Sequence, residues 1–377
     1  MVYLDNAATT PVNPAALRAA WPWLTEEFGN PSSTHELGQR ASDALENARA
    51  RIAAWLDCRA SEVVFTSGGT ESDNLGIIGL ALANPRGRHI ISAKTEHEAV
   101  LETLDYLARF HNFEVTWLPV DSLGVIIEAD FVAALRDDTT LVSLMLANNE
   151  IGTVHPIARF AELAHQVGAA FHTDAVQAAG WLDTRISTLG VDSLALSGHK
   201  IGAPKGSGVA YLRGRLAVEP LLHGGGQENG RRSGTENVAW AVALATAIEA
   251  LPNFAEEQSR VTKLRDDFVA EVLQSVPTAT LSGHPKQRHP GIASFCFEGI
   301  SGEAVLLELE RRGVIVSSGS ACAAGSNEPS HVLIACGFNA ELAQTAVRFS
   351  FSHLTSAEEL QQAAAALRES ISAVSAI

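Results

Sequence analysis

The sequence is short of positive charge, of cysteine and of long apolar runs, and each shortage removes a class of function. Lys and Arg number 27 against 43 Asp and Glu, a formal net charge of −16, which repels phosphate backbones and anionic lipid heads. Nucleic acid is therefore not expected as a partner. The opening MVYLDNAATTPV has no basic region followed by an apolar stretch, so neither a secretory signal nor a transit peptide is expected and the chain reads as cytoplasmic. The most apolar long stretch, 238–251, carries Thr246 and Glu249 and falls short of the roughly 20 residues a membrane span needs. It is expected to be a core helix, with no membrane involved. Four cysteines, Cys58, Cys296, Cys322 and Cys336, show no CxxC pair or other zinc-like spacing, so no metal site is expected. Disulfides are not expected in a cytosolic chain, which leaves at least one thiol as a candidate for chemistry. There is no internal repeat and no low-complexity tail.

With 377 residues and about 150 residues per domain, two domains are expected. The middle of the chain alternates short apolar runs with amphipathic ones, the pattern of strands crossing over through helices into a largely parallel sheet. The class is α/β. Strands are expected at 63–66, 89–92, 114–118, 141–146, 170–173, 193–196 and 209–212, with helices such as 73–82 and 99–110 between them. After Pro252 the pattern changes to a long helix (254–274), a Pro- and His-containing loop or linker SGHPKQRHPG (282–291), a strand (293–297) and a helix (303–312) closed by Gly313. A short strand (314–316), a Gly/Ser/Ala-rich loop and a last strand (347–351) follow. The final helix opens at Ser356 with Glu359 three residues on, a capping box. This is a second, smaller α/β unit.

In open sheets of this kind ligands collect beyond the carboxyl ends of the strands. Three such ends carry unusual residues. In LALSGHKIGAPKG (194–206) a strand runs into Ser197, Gly198, His199 and Lys200. An isolated lysine is most often a solvated loop residue, but one at strand ends can lose water contact and fall toward the free amine that imine chemistry needs. Asp174 in FHTDAVQ also follows a strand, where a carboxylate can pair with a pyridinium nitrogen or, more plainly, cap a helix. Gln177 could donate to a phenolic oxygen or simply sit on the surface. In TSGGTESDN (66–74) a strand ends at a glycine turn before a helix starting near Thr70, so that backbone N–H groups and the helix dipole face a phosphate. A Thr70–Asp73 capping box is the simpler reading there. The turn is neither a P-loop nor a dinucleotide fingerprint, and a single monophosphate suits it.

Together these segments resemble the fold-type I pyridoxal-phosphate enzymes, and within them the class V branch that holds the cysteine desulfurases of NifS and IscS type. The resemblance runs almost end to end through YLDNAATTP, FGNPSSTH, VFTSGGTESDN, TEHEAV, NNEIG, TDAVQ, SGHK, GGGQENGRRSGTEN, SSGSAC and VRFS. It implies the PLP-transferase type I fold, pyridoxal 5'-phosphate as cofactor, L-cysteine as substrate and a homodimer with shared active sites. Carried over residue by residue, it makes Lys200 the imine lysine, Asp174 the partner of the ring nitrogen and Gln177 a donor to the phenolic oxygen. His97 in TEHEAV would stack on the ring and move protons. Without the resemblance, His97 reads as a solvated helix-start histidine. Gly69, Thr70, Ser197 and His199 would hold the phosphate, with Thr235 reaching in from the second subunit. Asn149 would contact cofactor and substrate, and Arg348 would grip the substrate carboxylate through the two-point contact that a guanidinium favours. The alternative for Arg348 is a surface strand residue.

The reaction so implied centres on Cys322 in SSGSACAAGSNEPS (317–330), whose small residues favour a mobile loop. From Ser317 to Cys322 the extended chain spans about 17 Å, enough to carry a thiol from cofactor to surface. Its thiolate would take the sulfur of cysteine, leaving alanine and a persulfide that passes to an acceptor protein, such as an iron–sulfur scaffold. Burial is the commoner fate of a cysteine and is expected for Cys296, Cys58 and Cys336. Departures from the family pattern are Gly202 and Ala203 after SGHK, GGT in place of GAT, and an ending at SAVSAI without the longer tail that housekeeping members use to dock the scaffold. The acceptor is accordingly left open, and the SSGSAC loop matches the group I subtype. The expected organisation is an N-terminal segment (1–15) joining the small domain, a large cofactor-binding domain (16–252) and a small C-terminal domain (253–377) carrying the cysteine loop. Rival readings are selenocysteine lyase or another lyase on the same cofactor, and a non-catalytic sulfur-relay or binding protein.

Overall fold

A computed structural model describes residues 1–83, 86–319 and 328–375. Its centre is a seven-stranded sheet in the order Val63–Thr66, Gly208–Leu212, Ser193–Ser197, Ala170–Asp174, Thr139–Ser143, His89–Ala93 and Glu114–Leu118. Gly208–Leu212 runs antiparallel to both of its neighbours, and the remaining ladders are parallel. Four inner strands, His89–Ala93, Thr139–Ser143, Ser193–Ser197 and Gly208–Leu212, are buried on both faces along their whole length, which is why they read as apolar runs without alternation. The carboxyl ends at Thr66, Ala93, Ser143, Asp174 and Ser197 therefore open on one edge of the sheet.

The strand expected at 141–146 is displaced to Thr139–Ser143. Leu144, Met145 and Leu146 stay buried, so their hydropathy continues the run. Their backbone still bonds the neighbouring strand Ala170–Asp174, from Leu144 N to His172 O (3.2 Å) and from Leu146 N to Asp174 O (2.9 Å), past the end of the regular strand. The apolar helix Val238–Glu249 is a core helix as expected, buried along most of its length and capped by Asn237. Among the described residues no single helix is long and apolar enough to cross a membrane.

A second core forms around another sheet. A four-stranded sheet, Ser317–Ser318, Val347–Ser350, Ile292–Phe297 and Ala279–Leu281 in order, is antiparallel throughout. Its face is covered by Phe254–Ser275, which buries Val261, Arg265, Phe268 and Val272, a spacing of four, three and four that makes one helical stripe. Phe268 meets the rings of Phe295, Phe349 and Phe351 edge-on or tilted. Gly302–Arg311 ends before Gly313 at φ +76°. Ala357–Ser375 starts with the expected reciprocal cap, Glu359 N to Ser356 Oγ at 3.2 Å and Ser356 N to Glu359 Oε2 at 3.0 Å. Val2–Tyr3 pairs in parallel with Val314–Ile315, and Leu4 is fully buried in the same aromatic core.

Residues 282–291 form the expected loop, between Ala279–Leu281 and Ile292–Phe297, and it is packed against the body of the protein. Ser282, Arg288 and His289 are buried, Val154 N bonds Gln287 O at 3.0 Å, and His289 N bonds Gly152 O at 2.7 Å. The segment is held by partners distant in sequence, which its composition does not reveal.

Candidate active site

At the end of Val63–Thr66 the chain turns through Ser67 and Gly68 into the helix Gly69–Ala83. Gly69 is required here. A Cβ at that position would lie 2.7 Å from Val176 Cγ2 and 3.4 Å from Ser197 Cβ, so its absence lets the ends of three strands close on one point. The first turn of a 15-residue helix then faces that point with its N–H groups. Thr70 is exposed on it and Ser197 is buried beside it.

The simpler Thr70–Asp73 cap does not form, because the helix already begins at Gly69. Glu71 takes that duty, its Oε2 accepting from Ser67 N at 2.7 Å while Arg232 holds Oε1 at 2.8 Å. Asp73 turns inward instead. Its Oδ1 lies 3.2 Å from His172 Nε2, and His172 Nδ1 lies 3.0 Å from Ser193 Oγ, all three residues shut off from solvent. Gly76 makes room for this group, since a Cβ there would meet Ser193 Oγ at 2.4 Å and His172 Nδ1 at 2.6 Å.

Asp174, two residues beyond His172 on the same strand face, is buried. Burial raises its carboxyl above the usual range, and the charges of His97 and Lys200, with a bond from Val176 N at 2.8 Å, pull it back. Asp174 does not begin a regular helix, so the capping alternative reduces to that one bond. Glu96, next to His97, is likewise buried and raised by burial, with Oε1 bonded to Met145 N at 2.8 Å. Buried carboxyls of this kind would be stabilised in their charged form by a cationic group brought against them.

Lys200 stands at the end of Ser193–Ser197, in a short turn of 3-10 helix. Its Nζ donates to the carbonyls of Ala7 and, at 2.9 Å, Ala8. Gln177 Nε2 donates to Ala7 O at 2.9 Å. His199 bridges from its Nδ1 to Thr9 Oγ1 at 3.2 Å, and its pKa falls to about 4 through burial and the nearby Lys200 and Lys205 charges. His97 is half-buried and starts the helix Glu98–His111, its Nδ1 accepting from Ala99 N at 3.0 Å. Fixing Nδ1 as acceptor leaves Nε2 to carry the ring hydrogen when the imidazole is neutral.

Arg348 is 1% exposed, which removes the surface-strand alternative. Nη1 donates to Asn149 O at 2.9 Å and Nη2 to Asp5 Oδ1 at 3.1 Å, while Nε is buried with no acceptor among the described residues. Asn149 itself is half-buried. Thr235 is exposed and far along the chain from the strand ends. Cys322 lies outside the described residues. Cys296 and Cys336 are buried and Cys58 half-buried, and burial pushes all three thiols up to about 12. A surface depression of about 470 Å³ beside Cys58 shares no lining residue with the strand-end cluster. Among the described residues no three His, Cys, Asp or Glu side chains gather as metal ligands.

The cluster suits pyridoxal phosphate. It has a glycine cradle at a helix N-terminus for the phosphate, a buried carboxyl for the ring nitrogen, an amide donor and a lysine. Its less legible members are Asp5, Glu96, Asp73 and His172. Each stands in a motif quoted for the resemblance or within two residues of one, but none has a local pattern that reveals its partner.

The aminotransferase class-V model matches residues 2–363. A cysteine desulfurase IscS of Dictyoglomus turgidum is 46% identical over 361 residues, 95% of this chain and 91% of that protein. A cysteine desulfurase NifS of Azotobacter vinelandii is 45% identical, covering 96% and 90%. Among solved structures, a NifS-like protein superposes with a TM-score of 0.89 at 35% identity, covering 98% of this chain and 99% of that one. SspA in complex with cysteine gives 0.82 at 35% identity, covering 93% and 99%.

Proposed function

The chain belongs to the aminotransferase class-V family, and we propose that it works there as a pyridoxal-phosphate-dependent cysteine desulfurase with Lys200, His97 and Cys322 as catalytic residues. The observation that carries this reading is the meeting of Lys200, Asp174 and Gln177 at adjoining strand ends beside the Gly69 cradle. When bound, the cofactor draws electrons from the substrate's α-carbon.

Asp174 holds the ring nitrogen protonated and Gln177 orients the ring through its phenolic oxygen. Gly69, Thr70, Ser197 and His199 hold the phosphate, and His199, neutral because burial lowers its pKa, can donate or accept there without adding charge. His97 covers the ring face, and with Nδ1 tied to Ala99 N it offers Nε2 for proton movement. Lys200 would hold the cofactor and, as a free amine, is the base placed for the substrate's α-proton. Arg348 and Asn149 hold the substrate carboxylate. The Cys322 thiolate attacks the substrate's sulfur, the carbon–sulfur bond breaks with its electron pair going to carbon, and protonation yields alanine beside a Cys322 persulfide. The other three thiols, held near 12 by burial, are poor candidates for that thiolate.

The chain divides in this reading into an N-terminal segment (1–15) joined to the small domain, a large cofactor-binding domain (16–252) and a small domain (253–377). It acts in the cytoplasm as a homodimer in which Thr235 reaches the other subunit's phosphate, and it hands sulfur to an acceptor protein, such as an iron–sulfur scaffold. The test is to incubate the purified protein with L-cysteine and a reductant. Alanine and sulfide in equal amounts are expected, and release of pyruvate and ammonia in place of alanine would overturn the reading.

A further inference from the structure

Arg348 already has an anionic neighbour. Asp5 Oδ1 lies 3.1 Å from Nη2, across 343 residues of chain, and the contact is firmly built. Leu4 is fully buried, Leu4 N bonds Ile315 O at 2.8 Å, and Ser350 N bonds Leu4 O at 2.7 Å. Asp5 itself bridges to Ser350, which shares a strand face with Arg348 two residues away. Asn6 Nδ2 to Ser350 O and Ala7 N to Ser350 Oγ, both 2.8 Å, extend the stitching. The guanidinium is thus held by Asn149 O on Nη1 and by Asp5 on Nη2, with buried Nε lacking an acceptor among the described residues. An amino-acid carboxylate making a two-point contact through Nε must share or take Nη2 from Asp5.

We propose that Asp5 is a positioning residue and resident counter-ion of Arg348, whose negative charge competes with the amino-acid carboxylate and so keeps both L-cysteine and the product alanine from binding too tightly. The proposal rests on the reading that Arg348 grips that carboxylate. With Asp5 anionic, the guanidinium and two carboxylates sum to −1. With a neutral residue there, the sum is zero. The Asp5 side chain is 19% exposed, so water screens part of the repulsion, and a change of about three- to tenfold in affinity is expected.

The experiment is a titration of the holoenzyme with L-alanine and, in parallel, with ethylamine, followed by cofactor absorbance. Ethylamine carries the amine and lacks the carboxylate. Asp5→Asn keeps an oxygen for Nη2 and removes the charge, so its Kd for L-alanine is expected to fall three- to tenfold with ethylamine unchanged. Asp5→Ser, neutral and short, should move the L-alanine constant in the same direction. Both neutral variants binding L-alanine as the wild type does, or more weakly, would overturn the proposal. A loss of affinity shared by L-alanine and ethylamine would mark Asp5 as merely structural and overturn it too. Arg348→Lys checks the underlying reading separately. It should weaken L-alanine at least about tenfold, and a constant left at the wild-type value would remove Arg348 from the carboxylate site and the proposal with it.

Discussion

Lys200 and Gln177 donate to the same oxygen, the carbonyl of Ala7. The two side chains come from the ends of neighbouring strands, and the acceptor belongs to the N-terminal segment, which also supplies Ala8 O to Lys200 at 2.9 Å. An amine held by backbone carbonyls beside the Asp174 carboxyl is placed to a fraction of its reach. The nearby Lys205 is exposed and has no such seat.

Borohydride reduction of the holoenzyme followed by peptide mapping is therefore expected to find the cofactor on Lys200 alone. Lys200→Ala should lose the yellow colour of the lysine-linked cofactor, and an adduct on Lys205 would contradict the assignment.

Sulfur transfer separates Cys322 from the other thiols. After exposure to L-cysteine, mass spectrometry should show one added sulfur on the Cys322 peptide, removable by a reductant. Cys322→Ala should still change colour with L-cysteine while alanine production falls by at least about a hundredfold. Persulfide on Cys58, Cys296 or Cys336 would go against the burial that holds those thiols near 12.

Thr235, exposed in the single chain, is expected to weaken cofactor retention when changed to alanine, by about one hydrogen bond to a charged group or roughly tenfold in Kd. Sedimentation should show a dimer, and a fully active monomer would rule out the shared phosphate site.

Acid should loosen the fold through His289. Its Nε2 faces Gln177 O at 2.8 Å and its Nδ1 accepts from Gly291 N at 3.0 Å, an arrangement that suits one neutral tautomer. Burial, with the charges of Arg265, His353 and Arg288, lowers its pKa from 6.5 to about 3. A depressed histidine stabilises the fold fully above pH 6.5, and that contribution is lost as pH falls toward 3, because the unfolded chain takes up a proton that the folded one refuses. The slope is at most about 1.4 kcal/mol per pH unit. His289→Gln should flatten the pH dependence of urea unfolding between pH 6 and 4 by roughly that amount, and an unchanged slope would show that His289 is protonated in the fold.

The α/β class, the order of the strands along the chain, the buried helix Val238–Glu249 and the family motifs were legible in the sequence. They rest on short-range patterns: apolar runs for strands buried on both faces, the Ser356–Glu359 cap, and glycines at strand ends. Local patterns could not show that Asp73 would abandon its expected cap for His172, since that depends on Gly76 letting helix and sheet approach. Nor could they show residues 282–291 as a packed crossing, because its partners Gly152 and Val154 lie far off in the chain. Asp5 and Arg348 are the extreme case. Each sits in its own short motif, and the attraction between them exists only once Leu4 is buried beside Ser350 and two ends of the chain share one strand edge. Hydropathy and capping act over a few residues and can be read in order. Charge pairing and close packing act over a few ångströms, and only the folded chain decides which residues stand that close.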